Sequence, residues 1–325
     1  MKHDELVELK GGALVSRLGL GTAQLGGLYS SIADEEGQAL VDTSFERGIH
    51  YFDTAPHYGK GVSEKRLGRY LSKYPRNSWV LSTKVGRLLV PTEKEDDSFF
   101  LDADNSVERL NDYSESGIRR SFEDSLERLG LDSIDIVYIH DPDDYADDAI
   151  NHAYPALAKL RAEGLVKSIG IGMNFNEIPT RMINETDIDV VMNAGRYTLL
   201  DQSASAELFP AALRKGVSIV SVGVFNSGVL ANPSKDSNYF YEPAPNHIVA
   251  RALEFQSVLR EYGVSLQQAA IQFPMRQEAV KCVVVGCRSS QSLIENIANF
   301  DAEVPDEAWE KVDSLISKHR KEGSR

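Results

Sequence analysis

Cysteine is nearly absent from this chain: there are two in 325 residues, Cys282 and Cys287, both in the run VKCVVVGC. Neither has the paired spacing of a zinc site. Their apolar neighbours read as a buried strand and the turn behind it, the setting of free structural thiols. Long apolar runs are missing too. No stretch approaches the roughly 18–20 apolar residues that cross a bilayer, and the first residues, Met1 to Lys10, are charged where a secretory leader is apolar. The expectation is a cytoplasmic protein with no membrane partner. Positive charge is scarce, with 35 Lys and Arg against 49 Asp and Glu and a net charge of −14. That balance leaves no broad basic face for a nucleic acid, while a local basic pocket for one phosphate remains compatible with it.

What the chain does have is alternation. Apolar strand cores occur at 18–25, 49–54, 79–86, 134–140, 168–173, 188–195, 217–223 and 282–286. Most are near-continuous apolar runs, as in parallel strands buried on both faces. Helical patterns lie between them at 34–47, 63–72, 114–129, 152–163, 203–214, 247–262 and 289–299. Asp34 and Ser63 are read as helix-opening residues, and Gly48 and Gly130 as stops. Eight strands alternating with helices predict an α/β protein built as a closed (β/α)8 TIM barrel, one domain over residues 1–325, with a short hairpin turning at Gly11–Gly12 in front of it. A doubly wound open sheet is the alternative, but the first turn, GTAQLGG, lacks the GxGxxG pattern. Two connections, 86–113 and 224–246, are long and rich in Asp, Asn, Pro and aromatics. They are expected as loops on the C-terminal face, where barrel sites form. For the acidic stretch 92–106, a surface insertion with no part in the site stays open.

Titratable side chains gather at the C-terminal ends of the second to fourth strands: Asp53, then His57 and Tyr58; Lys84; and His140 with Asp141. Each alone reads as packing or as an ordinary ion pair. Together they converge on one barrel mouth. Lys84 stands inside the apolar run VLSTKVG, where an unpaired ammonium is costly, and Asp53 is the available partner. Tyrosine, with an ordinary pKa of about 10, needs a neighbouring cation to act as a base near neutrality, and Lys84 is expected to lower the Tyr58 value. This set suits general acid–base chemistry. It contains no activated Ser or Cys nucleophile and no metal-ligating cluster. A Schiff-base aldolase with Lys84 as nucleophile is a second reading. Past the eighth strand, Arg288 and the cap candidates Ser289 and Ser290 could take a phosphate at a helix start, or form only a capped helix.

These motifs resemble the aldo-keto reductase superfamily over essentially the whole chain. GLGTAQLGG, GIHYFDTAPHYGKGVSEKRLG, VLSTKVG, SLERLGLDSIDIVYIHDPD, LRAEGLVKSIGIG and VVVGCRSSQSLIEN stand in its order. The resemblance implies a catalytic tetrad of Asp53, Tyr58, Lys84 and His140, and metal-free hydride transfer involving NAD or NADP. It places the cofactor against Gly21, Thr22, Asp53, Asn174, Gly286, Arg288, Ser292, Glu295 and Asn296. The nicotinamide end departs from the common pattern, with Gly172-Met173-Asn174 after strand five, Asn193 or Ala194 in strand six, and Val222 in strand seven. FDTAPHYG, STKVGRLL, YIHDPDD, AGRYTLLDQS and GVFNSGVLA are similar to the aldose 1-dehydrogenase branch (L-fucose and D-threo-aldose dehydrogenases), more distantly to L-galactose dehydrogenases. That likeness implies oxidation of a sugar C1 hydroxyl to a lactone, with His57, Tyr58, His140, Asp141, Arg196 and Asn226 around an L-fucose-, L-galactose- or D-arabinose-type substrate. Pyridoxal 4-dehydrogenase, a generic carbonyl reductase, and a nicotinamide-binding regulatory subunit are the alternatives. A small-molecule substrate and a monomer or small homo-oligomer complete the expectation.

Overall fold

Eight parallel strands close on themselves in the order in which they occur along the chain. In this computed structural model, which describes residues 1–94 and 99–323, the barrel strands are β1 (Leu18–Gly21), β2 (Tyr51–Asp53), β3 (Val80–Val85), β4 (Ile134–His140), β5 (Val166–Met173), β6 (Val190–Ala194), β7 (Ser218–Val222) and β8 (Val280–Gly286). β8 pairs with β1, and β5 with β6, so no edge remains. The expected closed (β/α)8 barrel is therefore present, and the open sheet is excluded.

Helices coat the barrel: α1 (Asp34–Glu46), α2 (Val62–Leu71), α3 (Glu115–Leu129), α4 (Tyr154–Ala162), α5 (Glu177–Glu185), α6 (Leu208–Lys215), α7 (Asn246–Arg260), α8 (Leu266–Gln272), α9 (Ser290–Asp301) and α10 (Asp306–Gly323). Helix α3 shows the local logic. The Ser114 side chain accepts from the Gly117 backbone N–H, Ile118 and Phe122 are buried one turn apart, and Gly130 ends the helix in the left-handed conformation. Two expected caps fall elsewhere. Ala33 precedes α1, and the Asp34 carboxylate instead accepts from the Tyr70 hydroxyl at 2.7 Å and pairs with Arg69. Gly61 precedes α2, while Ser63 turns inward and donates to the Thr22 carbonyl at 2.7 Å. The segment 203–214 opens with a 3₁₀ turn at Ser203–Ser205, and its helix begins only at Leu208. No helix among the described residues is long and apolar enough to cross a membrane.

The N-terminal hairpin, Leu6–Glu8 with Leu14–Ser16, stops the floor of the barrel. Its Leu9, Ala13 and Val15 join the interior cluster of Tyr51, Ile136, Tyr138, Val190, Met192, Val220, Cys282 and Val284. A polar thread runs through that cluster. The Tyr51 hydroxyl lies 3.2 Å from that of Tyr138 and 3.1 Å from Ser82 Oγ, which donates to Asp53 Oδ1 at 2.6 Å. The two long connections are more ordered than irregular loops. Arg87–Pro91 and Val107–Asn111 form an antiparallel hairpin, and its outer part bridges back through Phe100 to Leu28. Residues 95–98 of the acidic stretch lie outside the described residues. Asn238–Tyr239 and Glu242–Pro243 form a smaller hairpin in the other connection.

Candidate active site

Parallel pairing brings the C-terminal ends of β2, β3 and β4 to one height: Asp53 sits opposite Ser82, and Lys84 opposite Tyr138. The Lys84 ammonium donates to Asp53 Oδ2 at 2.7 Å, to the Thr54 carbonyl at 2.9 Å and to the Tyr58 hydroxyl oxygen at 3.1 Å. Three directed hydrogen bonds use its whole donor capacity. Burial alone would push the Lys84 value down, but Asp53 and Tyr58 hold the ammonium charged, above its ordinary value. A charged, fully engaged lysine is the wrong species for carbonyl addition, which counts against the aldolase reading.

Tyr58 behaves differently from the sequence expectation. Burial raises its hydroxyl to about 12; the Lys84 charge pulls the other way without overcoming it, and Asp53 adds to the rise. The resting group is a phenol hydrogen-bonded to an ammonium. The His140 ring stands nearly perpendicular to that of Tyr58, at 88°, with centroids 6.4 Å apart. Burial, and then the charges of Arg87 and Lys84, hold its imidazole neutral, well below its ordinary value.

His57, His140 and Asp141 form a second group beside the tetrad, linked by Arg87. One guanidinium nitrogen lies 3.1 Å from His57 Nδ1; the other donates to Asp141 Oδ2 at 2.9 Å, which is itself 3.4 Å from His140 Nε2. Burial raises Asp141 to about 6, and Arg87 opposes that rise. Asp141 adopts φ 39°, a left-handed conformation unusual for a residue with a side chain. The Tyr113 hydroxyl, donating to the His140 carbonyl at 2.6 Å and lying 2.9 Å from that of Asp141, braces this corner.

A cavity of about 500 Å³ opens beside Tyr58 and extends across the ends of β6, β7, β8 and β1 to Arg288. Of the sequence candidates, Gly21, Asp53, Tyr58, Asn174, Asn226, Gly286 and Arg288 line it, together with Ala194 and Val222. The others are placed differently. Thr22 is buried behind the wall, donating to the Asp53 carbonyl at 2.9 Å. Ser292 is engaged in a reciprocal capping box with Ser289. Glu295 accepts from Gln291 at 2.8 Å, and Asn296 donates to Cys287 Sγ. Arg196 lies behind the lining, where it donates to the Asn174 carbonyl, pairs with Asp201 at 3.1 Å and covers the Phe240 ring at 4.1 Å. His57, Lys84, His140 and Asp141 are not among the lining residues; Lys84, His57 and His140 stand next to Tyr58 on the β2–β4 side, and Asp141 next to His140.

Several lining residues were not found from the sequence. Tyr29, Phe225, Phe240 and Tyr241 supply aromatic walls, and Gln24 and Gly223 supply polar and bare-backbone surface. The aromatic content of 224–246 was the available signal for three of them, Phe225, Phe240 and Tyr241. Arg87, three residues past Lys84, had no signal in a single sequence. Among the described residues, the buried amide oxygens of Gln24 and Asn226, which line the cavity, and of Asn193 in β6 have no hydrogen-bond partner. Arg288 makes no ion pair among the described residues. Both are features of a site built to take polar groups from outside.

Comparison with known proteins fits this geometry. The chain is 42% identical to D-threo-aldose 1-dehydrogenase from Pseudomonas sp. over 321 residues, covering 96% of this chain and 97% of that protein. It is 40% identical to pyridoxal 4-dehydrogenase from Microbacterium luteolum, covering 94% and 96%. The structure of a glycerol dehydrogenase from Gluconobacter oxydans superposes with a TM-score of 0.80 at 24% identity, over 97% of this chain and 96% of that one, and so supports the fold. The family model "Aldo/keto reductase family" matches residues 17–317. Dehydrogenases are among the relatives it matches, and the chain belongs to the aldo/keto reductase family.

Proposed function

We propose that the protein oxidises C1 of an aldose, in its cyclic hemiacetal form, to the lactone, using NAD or NADP. The observation that carries this reading is the Asp53–Lys84–Tyr58 chain of hydrogen bonds at the edge of a cavity long enough to reach Arg288. The 42% identity to an aldose 1-dehydrogenase supports the substrate class. Pyridoxal is a specific second candidate on the strength of the 40% relative. The two substrates share a chemistry, since an aldose and pyridoxal each close their own aldehyde with an internal hydroxyl to give a cyclic hemiacetal.

The cavity suits a dinucleotide. Asn174 and Asn226, with the unpartnered Asn193 and Asn226 oxygens nearby, offer amide groups at the Tyr58 end. Gly21 and Gly286 leave bare backbone along the middle, and Arg288 with the start of α9 offers a cation and backbone N–H groups for phosphate. When bound, the nicotinamide supplies the acceptor for hydride from C1. The protein's own part is proton management. Tyr58, after releasing its own proton to solvent, takes the C1 hydroxyl proton as a phenolate, which Lys84 stabilises by charge and hydrogen bond, and Asp53 fixes Lys84. Neutral His140 can share a hydrogen bond with the substrate oxygen. In the opposite direction the resting phenol of Tyr58 is already the proton donor.

The test is a panel of L-fucose, L-galactose, D-arabinose, pyridoxal and simple aldehydes, incubated with each cofactor and followed by absorbance of the reduced cofactor. Oxidation of a sugar supports the reading. Turnover of pyridoxal alone moves the substrate to the second candidate, and turnover of simple aldehydes alone sinks both.

A further inference from the structure

The tetrad accounts for Lys84, Asp53, Tyr58 and His140, but not for the arginine that joins the groups beside them. Arg87 follows Gly86, which has φ 101°; a side chain there would strike the Tyr113 ring at 2.4 Å. That turn ends β3 and swings the next residue across the mouth, so the first side chain of the 87–111 hairpin reaches back into the site. It then touches two strand ends at once, the turn after β2 through His57 and the end of β4 through Asp141.

Both contacts have chemical consequences. A guanidinium can only donate hydrogen bonds. Its contact with His57 Nδ1 therefore requires that nitrogen to be unprotonated, leaving His57 neutral with its proton on Nε2. Its contact with Asp141 Oδ2 places a compensated carboxylate 3.4 Å from His140 Nε2. A carboxylate oxygen there favours the His140 tautomer with the proton on Nε2, while Nδ1 is buried without a partner among the described residues. Tyr113 holds the backbone of the same corner from the opposite side.

The geometry points to Arg87 as a positioning residue that sets the tautomer of His57 and, through Asp141, the orientation of His140 at the substrate end of the site. It acts through the groups it holds rather than on the substrate. Only the choice of kinetic substrate rests on the hemiacetal-oxidation reading above.

The test combines histidine-ring nitrogen NMR with kinetics. In 15N-histidine-labelled parent protein, long-range 1H–15N correlations report the tautomer of His57 and His140, each assigned by loss of its signal on substitution to Asn. The expected result is a single Nε2–H tautomer for both. In Arg87→Met, His57 becomes a mixture of tautomers. In the same variant, kcat/KM for L-fucose or pyridoxal falls by up to about a hundredfold, the cost of a small misplacement of reacting groups. NADH and NADPH dissociation constants, read by fluorescence titration, stay at parent values. Arg87→Lys, which keeps the charge but loses the planar fork, falls between. A protonated Nδ1 on His57 in the parent protein overturns the proposal with no variant needed. So does an Arg87→Met protein that keeps the parent tautomers and kinetics. If the parent oxidises neither probe, the hemiacetal reading fails while the NMR result still decides the role of Arg87.

Discussion

The two halves of the barrel mouth are built on opposite plans. At the ends of β2, β3 and β4 the side chains are long, polar or charged, and interlocked: Asp53, Lys84, Tyr58, His140, Asp141 and Arg87 contact one another at 2.7 to 3.4 Å. At the ends of β6, β7, β8 and β1 the lining is small or apolar (Ala194, Val222, Gly286, Gly21), and the amide oxygens of Asn193 and Asn226 are left unpaired. The first half is joined internally without a ligand, only His140 Nδ1 and Arg87 Nε of these six side chains lacking a partner among the described residues, and it holds protons in place. The second is incomplete and keeps its hydrogen-bonding capacity for something that arrives.

The contrast can be broken most severely at Tyr58. Tyr58→Phe is expected to lower turnover by about 10²–10⁴ with cofactor binding intact; near-parent turnover would remove Tyr58 from proton transfer. Lys84→Met should lose activity and also strand a buried Asp53 carboxylate, costing about 3–5 kcal/mol of stability. Denaturant unfolding reads that loss, and adding Asp53→Asn should recover part of it if the cost comes from the unpaired charge. A third effect is one of pH. Oxidation needs the deprotonated form of Tyr58, and burial raises that group to about 12, so oxidative kcat/KM should climb as pH rises from neutrality, whereas reduction, which uses the resting phenol, should not. A flat oxidative profile would mean that another group takes the proton. The smallest effect belongs to the open half. Arg288 is exposed, so Arg288→Ala should weaken NADPH by only about 1 kcal/mol and NADH by less; equal weakening of both would place Arg288 away from the 2′-phosphate.

The same contrast explains how much the sequence disclosed. Lys84 inside VLSTKVG and Asp53 at the end of an apolar strand stood out because charge is expensive there, and eight apolar runs spaced by helices left few folds to choose from. The binding half gave less away. Glycine, alanine and valine at strand ends look the same whether they face a cofactor or a helix, so Thr22, Ser292 and Asn296 could not be told apart from Gly21 and Gly286. Arg196 stood beside the right strand, but its direction, toward Asp201 and Phe240 rather than into the cavity, depends on a hairpin far along the chain. The rise of Tyr58 rather than its fall is also a tertiary result: the Lys84 charge is local and readable, while the burial that outweighs it is supplied by the assembled mouth.

The hairpin at 87–111 has a consequence for how such an enzyme can change. Its inner strand carries Arg87 against His57 and Asp141, its partner strand carries Arg109, which donates to the His57 carbonyl at 3.2 Å, and its outer part brings Phe100 against the His57 and Tyr58 rings. It leaves the barrel at Gly86 and returns at Asp112, where the backbone N–H bonds the Gly86 carbonyl at 2.9 Å. A segment closed at its base in this way is a cassette: exchanged between relatives as one piece, it would carry the surroundings of His57 and Tyr58 with it and leave the barrel and the wall of the cavity at Arg288 behind.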